Sequence, residues 1–106
     1  MASDIVMNEL EVEVKVICRE DELVLNITDH HRWGKDDRQH LAVIVREIKS
    51  FISTVISGEV YALYPESKGK ARIIEIVGKH PLNEEASRVF QLLEKSSSFR
   101  IRVFQE

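Results

Sequence analysis

The stretch "ARIIEIVGK", residues 71–79, carries apolar side chains on both sides of an extended chain. Ile74 and Ile76 fall on one face, Ile73 and Val77 on the other. A strand that is apolar on both faces belongs inside a sheet, with neighbours on either side. The flanking sequence supplies helices. Before it, residues 37–57 place Leu41, Ile44, Val45, Ile48, Phe51, Ile52, Val55 and Ile56 in one arc at about 100° per residue, with Arg46, Ser50, Ser53 and Ser57 opposite. Asp36 or Asp37 suits the helix N-terminus and Gly58 its C-terminus. After it, Pro81 and Asn83 punctuate the chain. Ala86, Val89, Phe90 and Leu93 then form the stripe of a second helix, which "SSS" ends.

Farther out, "EVEVKV" (residues 11–16) and "LVLNIT" (23–28) alternate strictly and are joined by the polar turn "REDE", so they read as a hairpin. "FRIRVF" (99–104) is a last alternating strand, and "EVYALYPESKGKA" (59–71) reads as a loop. The order is ββαβαβ. Right-handed strand–helix–strand crossovers put both helices on one face. The expected fold is a two-layer α+β sandwich, a four-stranded mixed sheet under two helices, with the strand order left open. Residues 1–106 make one domain, and residues 1–9 are expected to be a loosely ordered lead-in.

Composition limits the function classes. The chain has 106 residues, 43% hydrophobic and 31% charged, and a formal charge of -3. That describes a globular protein. Its acidity argues against a dedicated nucleic-acid binder. No apolar run approaches the ~20 residues of a membrane span. The first ten residues lack the basic start and apolar core of a secretory signal, so a cytoplasmic location is expected. The single cysteine, Cys18, excludes an intrachain disulfide and a thiolate metal cage.

Chemistry-bearing residues concentrate in "TDHHRWGKDD", residues 28–37, between the second strand and the first helix. Three aspartates, two adjacent histidines and the chain's only tryptophan crowd a strand end beside a helix N-terminus, where sites often form. His40 follows one turn into the helix, at the edge of the apolar arc. Metal binding fits poorly, since adjacent His30 and His31 on an extended segment point to opposite sides and no two histidines lie four apart on a helix. No metal or cofactor is expected. A nucleophile elbow is absent, and Cys18 reads as a small core residue. General acid–base work by a His–Asp pair needs no motif and stays open. So do a structural role, with Asp29 bonded to turn amides and Trp33 closing one end of the sandwich, and a recognition surface of Trp, His and Arg rimmed by acids.

The run "LNITDHHRW", then His40 and Leu41, "ISGE" after the helix, Tyr64 and Pro65, and "KHPLNEEA" at residues 79–86 together resemble a family of small bacterial proteins known only as a domain of unknown function. The resemblance covers nearly the whole chain from about residue 10. Its most specific part is D-H-x-x-W followed by His-Leu, matched here by Asp29, His30, Trp33, His40 and Leu41. The family often has leucine where this chain has His31, and tends to have proline in place of Asn83. The resemblance implies a bacterial, cytoplasmic, single-domain protein and carries no activity.

Two functions remain in view. One is a non-catalytic protein-binding module, adaptor-like or immunity-like, with Asp29, His30, Trp33 and His40 forming or bordering the contact surface. The other is a small enzyme or metal-dependent site with a His–Asp pair at the same turn. The absence of a recognisable catalytic constellation favours the first. A protein partner or self-association is expected, and neither membrane nor nucleic acid is. Strand alternation also leaves Val24, Ile73, Val77 and Phe104 on the sheet face away from the helices, among charges of both signs. This is a candidate interface for a homodimer or a docked partner.

Overall fold

A computed structural model of the protein describes residues 12–106; the expected lead-in at residues 1–9 lies outside the described residues. Strand β1 (Val12–Cys18) turns at Arg19, whose amide donates to the Glu22 carbonyl at 2.8 Å, and returns antiparallel as β2 (Glu22–Asp29). Helix α1 (Asp37–Ser57) crosses back so that β3 (Ala71–Gly78) runs parallel to β2. Helix α3 (Glu84–Ser96) makes the second crossover, to β4 (Arg100–Gln105), parallel to β3. The sheet order is β1-β2-β3-β4, so each strand lies beside its neighbour in sequence. This is the α+β, mixed-sheet architecture that the ββαβαβ pattern implies. The segment expected to be a loop holds two short helical pieces, α2 (Glu59–Leu63) and a 3-10 turn at Pro65–Ser67.

β3 is central, and its alternation decides the layers. In register, Leu25, Ile74 and Ile101 share one face, as do Ile27, Ile76 and Val103. Of these, all but the exposed Val103 meet Ile44, Ile48, Phe51 and Val55 of α1 and Ala86 and Phe90 of α3 in one core, with Phe99 just ahead of β4. Full burial of such side chains stabilises by about 1.5–3 kcal/mol each, which makes this face the main source of fold stability. The buried arc of α1 is centred on Ile44 and includes His40 and Val43, while Ile56 is 74% exposed. At 100° per residue Ile56 stands about 120° from Ile44, outside the face that the sheet can cover.

The helix termini are built differently from one another. Gly58 ends α1 at φ 84°, its amide donating to the Val55 carbonyl. A left-handed residue there favours glycine. Asp36 occupies the N-cap position, also left-handed at φ 58°, and its carboxylate makes no capping bond. Asp37 instead accepts from the Gly34 amide at 2.6 Å, so the expected aspartate caps are replaced by a tie back into the preceding turn. Asn83 caps α3, accepting from the Ala86 amide at 2.8 Å.

On the face away from the helices, an ion network runs across three strands and the hairpin turn. Arg19 meets Glu75 at 2.7 Å, Arg102 meets Glu22 at 2.8 Å, and Asn26 donates to Glu75 at 3.3 Å. Val24 and Ile73 share that face yet are only 0% and 3% exposed. The accessible apolar surface there is supplied by Phe104, with half-buried Val77 in register beside it.

Candidate functional site

The turn between β2 and α1 gathers its side chains by parity. Asp29 is the last residue of β2 and, six and four residues beyond Leu23 and Leu25, points to the helix side of the sheet. His40 faces down from the first turn of α1. Their meeting is close: Nε2 of His40 lies 2.8 Å from Oδ1 and 2.7 Å from Oδ2 of Asp29. An ionised carboxylate only accepts, so Nε2 carries the proton and donates. Asp29 Oδ1 also accepts from the His31 amide at 3.1 Å, and the Asp29 carbonyl accepts from the Lys79 amide at 2.9 Å. One residue thereby ties together the strand end, the turn, the helix and the loop after β3.

The pair is sealed. Asp29 is 2% exposed and His40 0%. Trp33 stacks on the His40 ring with centroids 3.7 Å apart and planes 25° from parallel, and His31 meets the same ring edge-on at 4.6 Å. His31 Nε2 in turn donates to the Lys35 carbonyl at 3.1 Å. Gly34 adopts φ 110° in the bend that brings Trp33 over, a value a side chain would resist. Asp37 Oδ2 accepts from Asn83 Nδ2 at 3.2 Å, which couples the turn to the cap of α3. The turn is thus held from four sides.

The structure brings Asp29, Trp33 and His40 into one stack and turns His30 away from it. His30 Nε2 sits 3.0 Å from Glu13 Oε1 on β1, half-buried at the flank. The two adjacent histidines diverge, as alternation along an extended segment requires. His31 is the one of the two that touches His40. Asp37 and Asn83 contribute contacts that spacing alone does not reveal, because their partners lie 46 residues apart. The signal that does exist is local: Asn83 precedes a helical stripe, as N-caps do.

Chemically the stack offers little reach to a substrate. Among the described residues no group of three histidine, cysteine or acidic side chains is arranged to hold a metal ion. His40 Nδ1 is buried and has no hydrogen-bond partner among the described residues. A small cavity of about 120 Å³ opens beside the stack, bordered by Asp29, Trp33, His80 and Gln105. Cys18 lies at the far end of β1, half-buried, with Lys70 Nζ 3.4 Å from its sulfur. No helix among the described residues is long and apolar enough to cross a membrane.

Against known proteins, the chain matches the model of a family of unknown function, DUF6572, over residues 5–102. No curated protein and no solved structure matches it.

Proposed function

The chain belongs to DUF6572, a family of unknown function, and we propose from its geometry that it is a non-catalytic protein-binding module, adaptor-like or immunity-like. The observation that carries this reading is the burial of the Asp29–His40 pair under Trp33. An acid–base pair has to reach the proton it moves, within hydrogen-bond distance or through one water. A pair closed off by a stacked indole serves instead as a post that holds the turn in one shape. Above the post, exposed Arg32 and half-buried Trp33 present residue types enriched where proteins meet, with His30 at the flank. A rigid surface binds with less loss of conformational freedom than a mobile one.

The test is co-purification with tagged full-length chain from its host cells. Wild type is compared with Arg32→Glu on the turn and Lys49→Glu on the exposed side of α1. A partner whose recovery falls about tenfold with the first variant and is unchanged with the second supports the module. That fold-change corresponds to the loss of one well-placed contact. Equal recovery with both variants removes the turn from the interface.

The second reading, a His–Asp site acting on a small molecule, is favoured by the unpartnered His40 Nδ1 and the cavity against Asp29. It requires saturable binding of a small polar ligand that shifts the ring resonances of His40. A ligand screen that leaves those resonances unmoved discards it.

A further inference from the structure

Among the described residues β4 forms one edge of the sheet, paired with β3 and with no strand on its other side. Two hydrogen bonds fix the direction of its backbone. The Glu106 amide donates inward to the Gly78 carbonyl at 2.9 Å. The Ile101 amide, five residues earlier and so turned the other way, donates to the Glu94 carboxylate at 2.8 Å. Two-residue alternation then turns the N–H and C=O of Val103 and Gln105 outward as well. Outward donors and acceptors on an exposed strand are a template for another strand. Val103 and Phe104 are each 47% exposed along it. On the helix side a groove of about 310 Å³ follows this edge, bordered by Ile101 and Val103 of β4 and by Phe90, Gln91 and Glu94 of α3.

We propose that the occupant of this edge is a second copy of the chain, its β4 paired antiparallel with this one about a two-fold axis through Val103. Residues directly opposite in an antiparallel pair share a face, so a two-fold pairing is centred on a residue. Centring on Ile101 opposes Arg100 with Arg102, and centring on Arg102 opposes that arginine with itself. Both set like charges against each other, which destabilises a strand pair. Centring on Phe104 sets exposed Val103 against polar Gln105 and leaves Arg100 out of the charge pairing.

Centring on Val103 uses residues 100–106 and is self-complementary throughout. Arg100 faces Glu106, whose carboxylate also pairs with Lys79 of its own chain, Arg102 faces the Phe104 ring beside its bond to Glu22, Ile101 faces Gln105, and Val103 faces its own copy. Opposite charges and a cation over an aromatic face both favour the contact. The outward backbone groups of residues 101, 103 and 105 meet one another, and the copy's Ile101 and Val103 lie on the groove side. Glu94 is the built-in competitor. Its carboxylate holds the Ile101 amide that the copy's Gln105 carbonyl would accept from, so Glu94 limits the strength of pairing.

Sedimentation velocity of the full chain across a concentration series tests this. Wild type is expected to dimerise reversibly. Arg100→Glu and Glu106→Arg should each weaken the dimer about tenfold, because the two-fold repeats every altered pair. The double variant should restore it by exchanging the charges. Glu94→Ala should tighten it. Both reversed residues are exposed, and circular dichroism melts check that each variant is folded. A wild type that stays monomeric throughout overturns the proposal, including one that takes up an extended peptide along β4 instead. A dimer indifferent to the single reversals, or unrestored by the double, overturns the β4 register.

Discussion

Asp29 carries more of the turn than any other residue. Its carboxylate serves a buried donor, the His40 ring, and a half-buried one, the His31 amide, and truncation would leave both unpaired. An orphaned buried donor costs about 1–3 kcal/mol, and a half-buried one, which water can reach, about 1 kcal/mol. Asp29→Ala should therefore destabilise the protein by roughly 2–4 kcal/mol, a fall in Tm of more than about 8 °C for a domain of this size. Thermal melts of Asp29→Ala, His40→Ala and the double variant check this. The double should cost much less than the sum, since either change alone already breaks the bond. Equal and additive losses would mean that the pair does not act as one unit. At this scale the sequence singles out the turn's residues but not how they meet. Parity places Asp29 toward the helices, and the arc places His40 at its edge. The stacking of Trp33 on that imidazole depends on the bend at Gly34, a left-handed backbone choice that glycine permits and no periodicity announces.

Elements are most legible where a single period runs long. The 21 residues of α1 repeat their apolar arc over nearly six turns, and the ends fall at Asp37 and Ser57 because Gly58 supplies the left-handed exit. α2 is five residues long, too short for periodicity to register, and it forms because Val60 is anchored in the core. The N-terminus of α1 departs from simple capping for a reason that is tertiary. Asp37 spends its two oxygens on Gly34 and Asn83, fastening the turn to α3. Asn83 is thus both the cap of α3 and a strut between layers. Loss of an asparagine cap costs about 1 kcal/mol. Asn83→Ala should lose that plus the bond to Asp37, and Asn83→Ser should recover the cap part alone. Urea denaturation separates the two, and equal stability of alanine and serine variants would show that the cap is idle.

Taken whole, the molecule is a sheet with two unlike faces. The helix face was readable from alternation alone, because burial on one side imposes a period of two. Strand order was not, since antiparallel and parallel neighbours present the same alternation and only the crossover lengths distinguish them. On the other face, charges and apolar residues interleave along each strand, yet Val24 and Ile73 are buried while the charges bond across strands. That outcome depends on side chains far apart in sequence, Arg19 and Glu75 among them. The network has a pH signature. Hydrogen bonds from Arg19 hold the Glu75 carboxyl below its ordinary value of 4.5, and those from Arg102 do the same for Glu22. Carboxylates lowered in the folded state add stability above the unfolded value, and that stability is lost as pH falls through the folded one. The protein should hold its Tm down to about pH 5 and lose it progressively below. Arg19→Ala should flatten that acid limb, and an unchanged limb would assign the acid sensitivity to other groups.

The indole lying on His40 is the chain's only tryptophan, with the ring centroids 3.7 Å apart. Indole emission responds to the groups packed against the ring, and water shifts the emission to longer wavelength. The protein therefore carries a native optical probe at its most constrained turn. Loosening of that turn registers as a change in fluorescence intensity, while far-ultraviolet dichroism follows the sheet and helices. Where the two signals part during heating, the turn opens before the sandwich does. Where they coincide, Asp29 and His40 are as much a part of the cooperative fold as Ile44 and Ile74.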